Sequence, residues 1–253
     1  CHALRVFVPL HGQMELAGID RHPVDFLTDL PLRVGAHEFR YSVQTARVPD
    51  TGLWIYLIDC PAFFDRPRIY SDAPDEHVRY LMLTRAAFEC CQRMSFAPEI
   101  LHSNDWHTAF APLLLKTAYA WDRLFDATRT VLTIHNIGYQ GVFAGTLAPE
   151  LGIAAPAGAV GPGADLNFLK DGIVAADALT TVSPTHAQEI LTAEYGKGLD
   201  PLLRQRRNRL VGILNGVDYT AWNPATDPAL PAHFDARDLG GRKSCRDALL
   251  ARA

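Results

Sequence analysis

The sequence lacks the patterns that define several large classes of protein. No apolar run approaches the roughly 18 residues that a membrane-spanning helix needs, and the first residues lack the basic, apolar and small-residue order of a signal peptide. The five cysteines form no C-x-x-C pair and are odd in number, so free thiols in a reducing cytosol are the simplest interpretation. The net charge of -4 gives no electrostatic attraction for nucleic acid or anionic lipid.

Motifs for cofactor and nucleic-acid binding are also missing. Neither G-x-G-x-x-G nor G-x-x-x-x-G-K occurs, so nothing supports a nicotinamide-binding or P-loop role. The basic run at 204–209 contains no aromatic residue and lies in an acidic chain. This favours a solvated helix face over a nucleic-acid surface.

What is present is the composition and pattern of a globular α/β protein. Of the 253 residues, 48% are hydrophobic and 21% are charged, which suits one large α/β domain or two small ones. Short apolar strands alternate with helices, which predicts a Rossmann-like parallel sheet flanked by helices. The predicted strands are residues 4–8, 36–47, 53–59, 100–102, 130–135, 178–182 and 210–214. The predicted helices are residues 75–96, 105–121 and 167–176, and a fourth with Ser183 as N-cap and Pro184 at its first position.

Three details of this pattern can be checked directly. Residues 36–47 and 53–59 alternate and flank the turn sequence Pro-Asp-Thr-Gly at 49–52, which predicts a hairpin. Pro112 lies inside the helical pattern of 105–121, so that helix either kinks there or starts later. Residues 142–166 are rich in Gly, Ala and Pro and are predicted to be loop.

Three of the predicted strands end in clusters of polar residues, at 102–108, 135–141 and 215–218. In parallel α/β sheets, ligands bind outside the carboxyl ends of the strands. The three clusters are therefore expected to lie on one rim of the sheet. Their His, Asn, Asp, Gln and Tyr side chains are suited to hydrogen-bonding sugar hydroxyls.

These segments resemble one protein family. The chain is similar to bacterial glycogen synthases and plant-type starch synthases in four ordered segments: Leu-His-Ser-Asn-Asp-Trp-His-Thr (101–108), Thr-Ile-His-Asn-Ile-Gly-Tyr-Gln-Gly (133–141), Thr-Val-Ser-Pro-Thr-His-Ala-Gln-Glu-Ile (181–190) and Leu-Asn-Gly-Val-Asp (214–218). The resemblance implies the N-terminal half of a GT-B glycosyltransferase. Its partners would be ADP-glucose and the non-reducing end of an α-1,4-glucan such as glycogen or starch. It implies retention of anomeric configuration, no cofactor or metal ion, and a cytoplasmic location, or a plastid one in a plant.

Two residues are the candidate catalytic groups under this resemblance. His135 matches the family's active-site histidine, which faces the donor glucose, and the alternative is a histidine that only caps a strand-to-loop turn. Asp105 matches the cleft carboxylate, which can accept hydrogen bonds from glucan hydroxyls and stabilise positive charge at the anomeric carbon. The alternative for Asp105 is a helix N-cap, and both roles can hold together.

The same segments supply the candidate substrate-binding residues, which are Trp106, His107, Asn136, Tyr139, Gln140, Gly141 and Asn215. The aromatic rings could stack on sugar faces or simply be buried. The amides could bind hydroxyls or satisfy loop backbone, and the glycine could serve a turn alone. A metal site built from His102, Asp105 and His107 is a further alternative, but their spacing straddles a strand-to-helix turn, so no metal is predicted.

Both ends of the sequence have the pattern of interrupted structure. We expect residues 1–235 to form the N-terminal domain without its first strand, and 236–253 to begin the connection to a C-terminal nucleotide-sugar domain. The resemblance places a Lys-Thr-Gly-Gly-Leu loop before Cys1 and the cations for the diphosphate after Ala253. The chain alone is therefore predicted to be inactive as a transferase. The alternatives are a non-catalytic glucan-binding module and a different GT-B glycosyltransferase, such as a sucrose-synthase-like protein. No pattern predicts an oligomeric state.

Overall fold

The structure, a computed structural model, describes residues 3–14, 19–48, 51–71, 73–153 and 165–252. The chain divides into two compact units, the first ending at Ile213 and the second beginning at Leu214. The domain boundary expected after residue 235 stays a prediction. No helix of the described residues is both long and apolar enough to cross a membrane.

The first unit opens with a mixed sheet in the order β1-β5-β4-β2, in which β3 also pairs with β4. Its strands are β1 (Val6–Pro9), β2 (Arg21–Pro23), β3 (Leu30–Val34), β4 (His37–Arg47) and β5 (Trp54–Asp59). The strands β1 and β5 are parallel, and the other pairs are antiparallel. The predicted hairpin is confirmed as β4 and β5, although two residues of its turn, 49–50, lie outside the described residues.

A parallel sheet follows, in the order β11-β10-β7-β6. Its strands are β6 (Ile100–Asn104), β7 (Arg129–Ile134), β10 (Ala178–Thr181) and β11 (Leu210–Gly212), and a two-stranded ladder joins β8 (Val142–Phe143) to β9 (Leu166–Asn167). The predicted parallel sheet is confirmed for these four strands, while the N-terminal strands form the separate mixed sheet. The ladder lies inside the segment predicted to be loop, of which residues 154–164 are outside the described residues.

The helices are α1 (Pro61–Phe64), α2 (Glu76–Arg93), α3 (Asp105–Thr108), α4 (Ala111–Lys116), α5 (Phe168–Ala175), α6 (Pro184–Glu189), α7 (Asp200–Gln205) and α8 (Gly241–Leu250). Single 3-10 turns occur at Asp25–Leu27, Arg123–Phe125, Gly145–Leu147 and Arg207–Arg209.

Two predictions about helix boundaries can be compared with these elements. The helix predicted over 105–121 is two short helices, α3 and α4, and α4 ends at Lys116. Pro112 lies in the first turn of α4, where its missing N–H costs no hydrogen bond, so the helix starts later. The predicted cap of α6 is confirmed, because Ser183 Oγ accepts from the amide of His186 at 2.9 Å.

The apolar core of the first unit has two parts. The larger part packs α2 against the mixed sheet and includes Tyr41 and Leu81. The smaller part covers the parallel sheet and includes Leu132 and Leu179. Trp106, at the start of α3, is half-buried and packs against both parts. This tryptophan therefore connects the two cores directly beneath the ends of β6 and β7.

Candidate active site

The carboxyl ends of β6 and β7 bring two of the predicted polar clusters together. The two strands are parallel neighbours, with Asn104 at the end of β6 opposite Thr133 near the end of β7. The chain turns into α3 directly after Asn104, and into the 135–141 loop directly after Ile134. The expected rim is thus present for these two clusters.

Asp105 connects the ends of the two strands through its carboxylate. Its Oδ1 accepts hydrogen bonds from the backbone amides of His135 at 2.8 Å and Asn136 at 3.3 Å. Its φ of 51° is in the left-handed region, which Asp and Asn tolerate better than most residues. Asp105 is the first residue of α3 and not its N-cap, since that position belongs to Asn104. No described residue donates to Asp105 Oδ2, which leaves this oxygen for a ligand.

His135 is exposed on the rim and is held at two points. Its backbone amide donates to Asp105, and its ring Nε2 lies 3.0 Å from Asn104 Oδ1. Because an amide oxygen only accepts, Nε2 carries the proton in this arrangement and Nδ1 keeps its lone pair. The ring is therefore oriented by the protein, with one nitrogen open as an acceptor.

A row of hydroxyl and imidazole groups supports this pair from the strand side. His102 Nε2 lies 2.6 Å from Thr133 Oγ1, which lies 2.6 Å from Thr180 Oγ1. Burial, followed by the nearby charge of His135, lowers the pKa of His102. The row crosses β6, β7 and β10, so it fixes the ends of three adjacent strands relative to each other.

Trp106 and His107 lie one layer below the rim. The indole packs at ring-centroid distances of 4.9 Å from Tyr80 and 5.8 Å from Phe143. The His107 ring stacks on Trp106 at 4.2 Å, and its Nε2 is buried without a partner among the described residues. Burial lowers the pKa of His107 to about 4, an effect opposed by Asp105 and reinforced by Arg79. The packing gives both rings a structural role, and their predicted contact with substrate stays a prediction.

The loop after β7 carries the remaining candidates of the first unit. Tyr139 is 69% exposed, so its ring is open to a ligand. Asn136 Oδ1 accepts from the amide of Gly138 at 3.0 Å. Gln140 donates to Lys197 O at 3.0 Å and accepts from Asn167 at 2.7 Å, which matches the alternative that it satisfies loop structure.

Gly141 is required by the contact between this loop and Trp106. Its φ is +62°, and an added Cβ would lie 2.2 Å from Trp106 Cε3. Asn215 belongs to the second unit and is exposed, so its predicted place on the rim stays a prediction.

Sequence analysis did not single out Asn104 or Thr133, although both lie in or beside the quoted motifs. Their roles depend on the pairing of β6 with β7, which brings the Asn104 amide to His135 and the Thr133 hydroxyl to His102. The signal available in the sequence was a polar residue at the last position of an apolar strand. No group of three or more His, Cys, Asp or Glu in the described ranges is placed to hold a metal ion.

Comparisons with known proteins point in one direction. The sequence profile described as "Starch synthase catalytic domain" matches residues 1–205. The chain is 39% identical to the glycogen synthase of Aeromonas hydrophila subsp. hydrophila, covering 98% of this chain and 51% of that protein. It is 39% identical to the glycogen synthase of Myxococcus xanthus, covering 99% and 54%. The solved catalytic domain of Starch Synthase IV from Arabidopsis thaliana, bound to ADP and acarbose, matches with a TM-score of 0.82 and 32% identity, over 98% of this chain and 51% of that one. The chain thus spans about half the length of the curated relatives it matches.

Proposed function

Because the chain belongs to the starch synthase catalytic domain family, we propose that it forms one side of an active site that transfers glucose from ADP-glucose to an α-1,4-glucan. The observation that carries the proposal is the arrangement of Asp105, His135 and Asn104 at two adjacent strand ends. Sugar recognition needs fixed acceptors and donors at an exposed edge, and these three residues provide them. The solved relative bound to ADP and acarbose, a nucleotide and a sugar-like ligand, supports the same ligand classes for this chain.

The two candidate catalytic groups have distinct proposed roles. His135 faces the donor glucose and accepts a hydrogen bond from one of its hydroxyls at Nδ1. The carboxylate of Asp105 uses Oδ1 to hold the loop and offers Oδ2 to the substrate, where its charge stabilises positive character at the anomeric carbon. As the bond from that carbon to the diphosphate breaks, the acceptor 4-hydroxyl forms the new bond on the same face and loses its proton. The proposed reaction needs no metal ion.

Binding of maltoheptaose to the purified chain tests the site. We expect His135→Ala and Asp105→Asn to weaken binding by about tenfold or more, since each removes a fixed group that a sugar hydroxyl meets. The matched controls are His22→Ala and Asp126→Asn, which alter exposed residues outside the rim and should bind as the unaltered chain does. If both site variants bind maltoheptaose normally, the site assignment is wrong.

A transfer assay with radiolabelled ADP-glucose and glycogen separates the proposed enzyme from a glucan-binding module. The module is favoured by one observation, that none of the predicted site residues is a Lys or Arg that could hold a diphosphate. We expect glucan binding without transfer from the chain alone. Transfer by the chain alone would overturn the expectation that it is inactive, and absence of glucan binding would count against both functions.

A further inference from the structure

The two sheets of the first unit each end in an open strand, and the open strands face one cavity. Within the described residues, β1 pairs only with β5 and β6 pairs only with β7. A cavity of about 520 Å³ lies between them and is lined along its length by residues 3–9 and 100–104. We call this cavity the strand slot.

The backbone of β1 presents unpaired groups to the strand slot. In a parallel strand, the N–H and C=O of one residue point to the same side, and successive residues alternate. The Leu10 amide donates to Ile58 O of β5 at 2.9 Å, so Val8 and Val6 also face β5. The N–H and C=O of Phe7 therefore face the slot. Pro9 faces it too, at an edge position where a missing N–H is tolerated.

The backbone of β6 presents a second row of such groups. The Arg129 amide of the β7 side donates to Glu99 O at 2.8 Å, so Leu101 and Ser103 also face β7. By the same alternation, the N–H and C=O of Ile100 and His102 face the slot. Donors and acceptors on both sides of one cavity match the backbone of an inserted strand, which has both groups on both of its edges.

One wall of the strand slot is apolar. It is formed by Leu83, Ala87, Phe88 and Cys91 of α2 and by Ala111 of α4. An inserted strand would place every second side chain against this wall, so it would need small or branched apolar residues there. A small apolar ligand would contact the wall but leave both backbone rows unpaired.

The direction of the inserted strand follows from the connections. The helix α2 links β5 to β6, and such helical crossovers join parallel strands. Since β1 is parallel to β5, both sides of the slot run the same way. The matched relatives are about twice as long as this chain, so chains of this family contain polypeptide beyond the matched half.

We propose that the strand slot binds an extended apolar polypeptide segment, which inserts between β1 and β6 as a parallel strand and joins the two sheets into one. The segment pairs with Phe7 on one side and with Ile100 and His102 on the other. This binding site is separate from the proposed sugar site, because it uses backbone groups between the sheets and no side chain of the rim.

Hydrogen exchange of the free chain is the first test, since it needs no ligand. We expect the amides of Phe7 and His102 to exchange at least about tenfold faster than those of Val8 and Leu101, which pair within the sheets. Protection of Phe7 and His102 in the free monomer would overturn the proposal, because the two edges would already be paired. Protection that disappears on dilution, together with a dimer in solution, would assign the slot to a second copy of the chain and would also overturn it.

Peptide binding is the second test. The probe is a fluorescein-labelled peptide with a core of alternating Val and Thr, flanked by Lys for solubility, and its control carries N-methyl groups on two central amides. We expect the probe to bind and to protect Phe7 and His102 from exchange, and the control to bind at least about tenfold more weakly. Equal binding of both peptides would show recognition of side chains alone and would overturn strand insertion.

A pair of substitutions locates the binding. Ala87 is half-buried on the apolar wall, so Ala87→Phe should fill the slot and weaken probe binding at least about tenfold. Ala118 is exposed and outside the slot, so Ala118→Phe should bind the probe normally. Circular dichroism of both variants shows that they fold, and normal binding by folded Ala87→Phe would contradict the proposal.

Discussion

The rim and the layer beneath it contain the same types of polar residue in opposite circumstances. On the rim, Asp105 and His135 are bound to backbone and side-chain partners and remain open to solvent. Beneath it, His107 and Asp171 each have a buried polar atom without a partner among the described residues. The rim groups are thus arranged for a ligand, whereas ionisation of the buried groups acts on stability. Residue type alone does not separate the two cases.

The contact between rim loop and lower layer is most sharply broken at Gly141. The substitution Gly141→Ala places a Cβ in the left-handed region and against the Trp106 ring. We expect a loss of about 3 kcal/mol in the free energy of unfolding, from backbone strain and from overpacking. Urea unfolding followed by circular dichroism measures it.

Gly52→Ala is the control for this loss, because Gly52 has a φ of +69° but its nearest contact would be Arg47 Nη2 at 3.6 Å. We expect it to lose about 1 kcal/mol, from backbone strain alone. Equal losses for the two variants would mean that the Trp106 contact contributes nothing.

The buried carboxyl of Asp171 sharpens the comparison in the opposite direction. Burial raises the pKa of Asp171 to about 6, above the value of about 3.9 in an unfolded chain. The folded state therefore favours the protonated carboxyl, and its contribution to stability is lost as the pH rises from about 4 through 6. Asp171→Asn should gain about 2 kcal/mol at about pH 8 and nothing at about pH 4. Asp126→Asn, at an exposed position, should show no such gain.

The imidazole of His107 should destabilise the fold in acid. Its pKa of about 4 lies below the unfolded value of about 6.5, so the folded state favours the neutral ring. Its contribution is complete above about pH 6.5 and is lost as the pH falls towards 4. His107→Phe should retain the stack and remove about 1.5 kcal/mol of this acid destabilisation, a figure reduced because the ring is partly exposed. An unchanged pH dependence of unfolding in the variant would refute this assignment.

The smallest expected effect separates the two uses of the Asp105 carboxylate. Asp105→Ala removes both backbone hydrogen bonds and should lose about 1 kcal/mol of stability. Asp105→Asn can still accept these bonds and tolerates the left-handed backbone, so its stability should be nearly unchanged while glucan binding falls. Thermal unfolding of the two variants compares them, and equal losses would mean that the bonds to His135 and Asn136 do not support the fold.

The strand-end clusters could be predicted from the sequence because an apolar strand followed by a polar run is a local pattern. The partners within the clusters could not, since Asp105 reaches the amide of His135 through a left-handed backbone that no pattern signals. The mixed sheet was only partly predicted for a related reason. In β3, Leu30, Leu32 and Val34 alternate with exposed residues, but Pro31 argues against a strand. It is tolerated there because β3 pairs only with β4 among the described strands.

The position of Trp106 also gives the protein an internal optical signal. Of the four tryptophans, Trp54, Trp121 and Trp222 are 45%, 73% and 73% exposed, while Trp106 is half-buried between the two cores. Its emission should be the most blue-shifted and should move to longer wavelength when either core opens. Fluorescence therefore reports whether the mixed and parallel sheets melt as one cooperative unit or in succession.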